Sequence, residues 1–399
     1  MITDEQFPQP SVRVGIIGVG NIGSAHASCL FSEQVEGLTL TVLCDSDVAR
    51  CDALKASYRG CRFFTNYREA VDSGLADAFI VAVPHPLHTV IAGYVLSHQC
   101  HLLLEKPMDI RLSAAESLIR LADTSDRVFA IMFNQRTNPV FTKVKQLIES
   151  GVLGEPKRLE WTVTNWYRTQ RYYDSGSWRA TWDGEGGGVL VNQAPHNLDL
   201  WQWIFGMPKR VRAFCHEGKY HRIDVEDDVT VYAEYENGAT ALFVTSTGEY
   251  PGTNRLEITG DRGRITVENG KITLVTLSFP EREYCFDRVN TEPPALNETV
   301  WDAYPPVEEH RNILQNFSDA IRFGAPLVAP GVDGIHELRL SCASYLSAWT
   351  DSFVTLPPDA EEYDRMLDRR MTAAKRRNSG DIVREAPQSE YRERWKKHW

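Results

Sequence analysis

The segment Gly18-Val19-Gly20-Asn21-Ile22-Gly23 constrains this chain more than any other, because of what flanks it. An apolar run from Val12 to Val19 reads as a buried strand, and Ser24 to Phe31 opens a helical pattern, so the G-x-G-x-x-G spacing falls where a strand turns into a helix. Each glycine has a separate task there. Gly18 permits the tight turn, Gly20 keeps a Cβ away from an approaching pyrophosphate, and Gly23 lets the helix close on the strand. Phosphate oxygens then meet the unpaired N–H groups of the first helical turn, Asn21 and Ile22 among them. Asp45 ends the next apolar run, about two dozen residues on, where a carboxylate accepts both adenosine ribose hydroxyls and repels a 2′-phosphate. NAD is therefore expected over NADP, although Ser46 and Arg50 leave room for the extra phosphate.

The rest of the first 136 residues agrees with a parallel sheet flanked by helices. Strands are expected at Val12 to Val19, Leu38 to Cys44, Ala78 to Val83, His101 to Leu104 and Val128 to Phe133, with helical spacers between them. After Pro156 the pattern changes. Seven β-type runs follow: Arg158 to Thr164, Arg210 to Cys215, Val229 to Tyr235, Ala239 to Thr245, Arg255 to Thr259, Arg264 to Val267 and Lys271 to Leu277. Helices are expected from Pro195 to Phe205, Glu308 to Phe323 and Gly334 to Asp351, the last returning toward the first domain. The fold class is thus α/β: an N-terminal doubly wound Rossmann domain (1–136), a second domain with a large, mostly antiparallel open sheet (137–358), and a C-terminal helical extension with a tail (359–399).

Composition narrows the partners. The 399 residues carry a formal net charge of -11, which would repel a nucleic-acid backbone or an anionic membrane over most of the surface, so a small molecule is the expected ligand. Eight cysteines without a C-x-x-C pair suit a reducing compartment and no zinc or other metal site. Met1 to Pro10 is acidic and proline-bearing, unlike a targeting segment, and a cytoplasmic location is expected. The tail Lys375 to Trp399 is locally basic, eight Lys or Arg against four Asp or Glu, and its Tyr391, Trp395 and Trp399 suggest that it docks.

In an open parallel sheet, ligands bind beyond the carboxyl ends of the strands. Two such ends stand out. Pro84, His85 and His88 follow the strand Ala78 to Val83, and Glu105-Lys106-Pro107 follows His101 to Leu104, placing Lys106 at the mouth of the sheet. A lysine there steadies a substrate oxygen that is becoming an alkoxide, which hydride abstraction from an alcohol requires. Further on, Gly186-Gly187-Gly188 leads to Asn192 and His196, which share or flank one helix turn, and the histidine is suited to accept a hydroxyl proton near neutral pH. Before the glycines, Trp166, Tyr167, Arg168, Arg171, Tyr172, Tyr173, Trp178, Arg179 and Trp182 mix aromatic faces with arginines. Such a wall stacks on sugar C–H surfaces and donates to hydroxyls; a subunit interface enriches the same residue types.

The fingerprint, Glu105-Lys106-Pro107 and the glycine run ending in His196 and Asp199 together resemble the glucose-fructose oxidoreductase and inositol dehydrogenase family (Gfo/Idh/MocA) over about 350 residues. The resemblance implies catalytic roles for Lys106 and His196, an open second-domain sheet that builds dimers or tetramers, and pocket positions for Asn134, Arg136 and His310, the last otherwise a plain surface histidine. Many polyol dehydrogenases of the family carry aspartate four residues before the histidine, where this chain has Asn192. An asparagine orients a hydroxyl but does not offset a positive charge, so proton acceptance falls to His196 or to a deprotonated Lys106. The expected activity is NAD-dependent oxidation or reduction of a hydroxyl carbon of a sugar or polyol. Two alternatives are a redox glycosidase, in which transient oxidation leads to aglycone elimination, and a non-catalytic sensor that keeps the dinucleotide site.

Overall fold

The computed structural model describes residues 11–374 except 177, 288, 290, 291 and 306. The basic tail 375–399, with its three aromatic residues, lies outside the described residues. The chain divides into two compact units, Met1–Thr137 with Glu308–Ile335, and Asn138–Val307 with His336–Trp399.

In the first unit, strands β1 (Val12–Ile17), β2 (Leu38–Cys44), β3 (Arg62–Phe64), β4 (Ala78–Val81), β5 (His101–Leu104) and β6 (Phe129–Ile131) form one sheet in the order β3-β2-β1-β4-β5-β6, parallel throughout. Its central strands are apolar on both faces, with Val14, Ile16, Phe79 to Val81 and Leu102 to Leu104 all inaccessible to water, as a sheet covered on both sides demands. Helices α1 (Asn21–Phe31), α2 (Val48–Lys55), α3 (Tyr67–Asp72), α4 (His88–Ser97) and α5 (Leu112–Ala122) make the crossovers. Strand β3 has only three residues, none of them fully buried, and gives no apolar run to read in the sequence. β1 stops at Ile17, two residues short of the expected end, because Gly18 turns the chain with φ +90°.

The segment Glu308–Ile335 belongs to this unit, whereas the sequence places it in a domain running from 137 to 358. The reason is its apolar stripe. Ile313, Leu314 and Phe317 of the helix Glu309–Phe323 are buried, and the chain beyond it bonds to β6 through Ile131 N–H to the Ala329 carbonyl at 3.1 Å.

The second unit holds nine strands in the order β14-β13-β12-β11-β7-β10-β9-β8-β15. They are β7 (Pro156–Val163), β8 (Arg210–Glu217), β9 (Glu226–Glu234), β10 (Thr240–Ser246), β11 (Asn254–Gly260), β12 (Gly263–Glu268), β13 (Lys271–Leu277), β14 (Leu296–Trp301) and β15 (Val354–Thr355). Only β7 and β10 run parallel; every other neighbouring pair is antiparallel. One face is buried by strict alternation, as Val229, Val231 and Ala233 of β9 show. Helices α6 (Pro139–Glu149) and, after the short turn α7 (Gln170–Tyr173), α8 (Pro195–Phe205) belong to this side, where Trp161 lies 5.8 Å from Phe141 and 6.2 Å from Phe243, and Trp201 stacks on Phe243 at 5.7 Å. The other face stays partly open and carries Arg158, Glu160, Tyr232, Leu242 and Arg255. Edge strands β14 and β15 were not legible, the first because it is almost wholly exposed and the second because it has two residues. After α9 (Glu281–Phe286), the run α10 (Glu309–Phe323) and α11 (Gly334–Thr350) leads to α12 (Ala360–Ala373), whose Tyr363 stacks on Trp349 at 5.8 Å, so the helical part of the extension packs within this unit.

Candidate functional site

The fingerprint loop of the first unit separates its glycines by purpose. A Cβ on Gly18 would sit 2.3 Å from the Ala82 carbonyl oxygen, and one on Gly23 would sit 1.9 Å from the Gly18 carbonyl oxygen, so both glycines are fixed by close backbone approach. Gly20 meets nothing within 4 Å. It is also the N-cap of α1 and gives that helix no side-chain cap, so the first-turn N–H groups remain available to an anion. Asp45, 8% exposed, accepts from the Val19 N–H at 2.9 Å and the Asp47 N–H at 2.9 Å, and pairs with Arg50 at 3.1 Å. The carboxylate is thereby tied to the loop itself, and Arg50 is engaged with it. Asn134 donates from Nδ2 to Glu309 at 2.8 Å, while its buried Oδ1 has no partner among the described residues. Open space at Gly20, an uncapped helix start and an orphaned buried acceptor fit a dinucleotide held by Gly18, Gly20, Asn21, Ile22, Gly23, Asp45 and Asn134.

Behind β5 sits a buried charge cluster. Glu105 Oε1 lies 2.8 Å from Nε2 of His26, and Oε2 accepts from the Lys106 N–H at 3.3 Å. Burial disfavours the Glu105 carboxylate, but the His26 contact and the charges of His310 and Lys106 hold it below the usual carboxylate range. Lys106 itself is half-buried and lies two residues beyond the end of β5. His310, expected at the pocket through the resemblance, has its ring centre 5.9 Å from that of His26, and burial, aided by His26 and Lys106 and opposed by Glu105, pushes it down to about 4.

Two residues expected at ligands are engaged in internal contacts. His88, expected at the dinucleotide, is 1% exposed with Nδ1 2.6 Å from the Pro107 carbonyl and Nε2 2.8 Å from the Val83 carbonyl. A neutral ring donates to one of them, and burial keeps it neutral, so His88 ties the exit of β4 to the Lys106-Pro107 turn. Arg136, expected at the substrate, is 3% exposed and donates to Asp333 at 2.7 Å and to the Val328 carbonyl at 3.2 Å. Between β4 and His88, Pro84 and His85 form the turn that the proline predicts.

In the second unit the glycine run is built around Glu226, the first residue of β9. Its carboxyl group accepts from the N–H groups of Gly188 at 2.9 Å and Leu190 at 3.0 Å and from the Tyr345 hydroxyl at 2.8 Å. Burial nevertheless pushes its pKa up to about 7 against those three donors. A Cβ on Gly188 would lie 1.9 Å from the Glu226 carbonyl oxygen, and one on Gly187, at φ +150°, would lie 2.0 Å from the Tyr345 hydroxyl. The run then delivers Asn192 just before α8 and His196, 2% exposed, into its first turn.

Asn192 Nδ2 donates to the Glu185 carboxylate and to the Tyr172 hydroxyl, the latter at 3.3 Å. The Tyr172 hydroxyl also receives Gln193 Nε2 at 3.3 Å and Arg179 Nη1 at 3.1 Å. The Arg179 guanidinium lies 4.7 Å from the Tyr172 ring centre and 4.3 Å from that of Trp178, and Arg168 lies 5.1 Å from Tyr172. The expected wall is therefore Arg168, Tyr172, Trp178 and Arg179. Trp166, Tyr173 and Trp182 are core residues at 3%, 1% and 2% exposure, and Tyr167 is an outlying residue beside Tyr250, with ring centres 5.5 Å apart. Glu185 and Glu226 were missed. Neither sits in a periodic pattern, and only the position of Glu185 against the glycine run would have pointed to it.

Lys106 and its neighbours thus lie in the first unit, and Asn192, His196 and the aromatic wall in the second. Residues 12–133 match the model of an oxidoreductase family with an NAD-binding Rossmann fold, and residues 141–266 match that of the GFO/IDH/MocA C-terminal domain. The chain is 24% identical over 341 residues to myo-inositol 2-dehydrogenase of Thermotoga maritima, covering 84% of this chain and 95% of that one. It also resembles the WlbA dehydrogenase of Chromobacterium violaceum, solved with NADH and UDP-GlcNAcA: TM-score 0.76, 25% identity, 90% of this chain and 100% of that one. A levoglucosan dehydrogenase solved with NADH and levoglucosan shares the fold, with TM-score 0.72 and 20% identity over 87% of this chain and 100% of that one. With a parallel six-strand nucleotide domain, an open mixed sheet and both family models in their proper order, this chain belongs to the Gfo/Idh/MocA family of NAD-binding oxidoreductases.

Proposed function

We propose that the chain is an NAD-dependent dehydrogenase acting on a secondary hydroxyl of a sugar, sugar derivative or polyol. The observation that carries this reading is the setting of His196: a buried histidine in the first turn of α8, preceded by Asn192 and accompanied by the Tyr172, Trp178 and Arg179 stack. Stacked aromatic faces suit the C–H surface of a sugar ring, and the guanidinium groups suit its hydroxyls or an anionic substituent. A relative named for myo-inositol and a similar structure solved with UDP-GlcNAcA support the same chemical class.

When bound, NAD supplies the hydride acceptor. His196 takes the hydroxyl proton, and Asn192 orients the hydroxyl through its amide oxygen. Lys106 contributes a positive charge that steadies the oxygen as it becomes an alkoxide. A second copy of the chain is proposed to cover the open face of the nine-stranded sheet, where Phe214 and Leu242 are exposed, and the enzyme is proposed to work in the cytoplasm. Among the described residues no helix is long and apolar enough to cross a membrane.

The experiment is a screen of myo-inositol, free aldoses, UDP-N-acetylglucosamine and aryl glycosides that follows NADH absorbance and aglycone release together. NADH formation that falls by about 10²- to 10⁴-fold in His196→Ala and in Lys106→Ala supports the proposal. Aglycone release without net NADH overturns it in favour of the redox glycosidase.

A further inference from the structure

Glu185 is a carboxylate that the proposed chemistry leaves unused, yet it is 1% exposed. Burying such a group is costly unless its oxygens are satisfied, and here the satisfaction is specific. Oε2 accepts from the Ala180 N–H at 2.6 Å, Oε1 accepts from Asn192 Nδ2, and the Arg179 guanidinium lies 3.7 Å from Oε1. Ala180 has φ +52°, a left-handed conformation that a residue with a Cβ adopts only when its surroundings hold it there. The neighbouring Arg179 is the guanidinium stacked on Tyr172 and Trp178. One carboxylate therefore fixes two parts of the pocket wall.

It also fixes a direction. An ionised carboxylate only accepts hydrogen bonds, so the amide of Asn192 must turn Nδ2 toward Glu185, and its Oδ1 becomes the end that is presented elsewhere. We infer that Glu185 is the positioning residue of the site: it sets Asn192 as a hydrogen-bond acceptor for the substrate hydroxyl and holds the Arg179–Ala180 corner in register with it. The inference rests on the dehydrogenase reading of the His196 site. Charged and titratable groups around the carboxylate include Arg179 directly, Tyr173 through its charge, and Tyr172 through Asn192.

The test is a polarity swap. In Glu185→Gln the new amide has one donor end, which confronts the Ala180 N–H or Asn192 Nδ2 unless Asn192 flips and turns its Oδ1 inward, so the outward acceptor is lost either way. In Asn192→Asp two carboxylates meet. The double variant restores complementarity with the charge moved: the amide brought in by Glu185→Gln would accept from the Ala180 N–H through its oxygen and donate through its nitrogen to the carboxylate brought in by Asn192→Asp. For whichever screened substrate yields NADH, each single variant is expected to lose about tenfold or more in kcat with NAD affinity unchanged, and the double variant to return to within a few-fold of the parent. Losses that multiply in the double variant would overturn the inference. His196→Ala serves as the separate control, since undiminished activity there sinks the dehydrogenase site itself. Melting temperatures of the parent, the two single variants and the double variant give a readout independent of turnover, and failure of the double variant to recover stability lost by the singles also counts against the pairing.

Discussion

Two glycine-rich segments in this chain look alike in sequence and serve opposite ends. In Gly18 to Gly23 the backbone closes tightly at two glycines, and the third, Gly20, opens onto space and leaves the start of α1 uncapped. In Gly186 to Gly188 the Gly188 N–H is taken up internally by Glu226, as is that of Leu190 just beyond, and the absent side chains make room for Tyr345 and for the β9 backbone. The first segment ties down its Gly18 and Val19 N–H groups and leaves the start of α1 uncapped, and the second commits donors to a buried carboxyl and so delivers Asn192 and His196. Glycine content alone therefore says that something comes close, not what it is.

Substitutions that treat the two segments as equivalent should show the difference. The largest effect is expected from Gly188→Ala, whose Cβ would meet backbone rather than a movable side chain; overpacking of this kind costs about 1–3 kcal/mol or more, and calorimetric melting should fall sharply. Glu226→Gln comes next, because its amide nitrogen would face backbone N–H donors, and an unsatisfied buried group costs roughly 1–3 kcal/mol.

That variant carries a pH signature. Burial raises the folded-state pKa of Glu226 from its ordinary 4.5 to about 7, so the folded protein binds the proton more tightly than the unfolded chain, and the stability Glu226 contributes falls as pH rises through this window. The melting-temperature gap between parent and Glu226→Gln should narrow from pH 4.5 to pH 7; a gap that widens would contradict the raised pKa.

Gly20→Val should behave in the opposite way to Gly188→Ala. Its Cβ has nothing to strike, so the melting temperature should barely move, while the NAD dissociation constant rises about tenfold or more because the added side chain occupies the approach of the pyrophosphate. A folded variant that still binds NAD as well as the parent would place the phosphates elsewhere.

The smallest effect is spectroscopic. The His310 ring, pushed down to about 4 by burial and by its neighbours His26 and Lys106 against Glu105, should stay neutral in an NMR titration well below the range of an exposed histidine. His221 should titrate above that range: burial works against its charge, but the 2.8 Å contact with Asp227 and the Arg168 carbonyl outweigh it.

Local pattern carried much of the fold. Strands β1, β2, β4 and β5 were legible because a parallel sheet buried on both faces writes continuous apolar runs, and the second sheet was legible where alternation marks one buried face. β3, β14 and β15 were hidden because short or exposed edge strands need no such pattern. In the candidate site, the close approaches at Gly18 and Gly23 and the contact of Asp45 with the Val19 N–H were accessible to spacing because the partners lie a few residues or one crossover away.

The sequence by itself determined the strand-turn-helix fingerprint, the change from parallel to antiparallel patterning and the delivery of Lys106 and His196 at element ends, since each depends on contacts within one short stretch. Only the tertiary structure decided that His88 and Arg136 brace backbone carbonyls and Asp333, that Glu226 anchors the second glycine run, and that Glu185 faces Asn192. A buried polar side chain takes its meaning from whichever donor or acceptor lies opposite it, and folding chooses that partner.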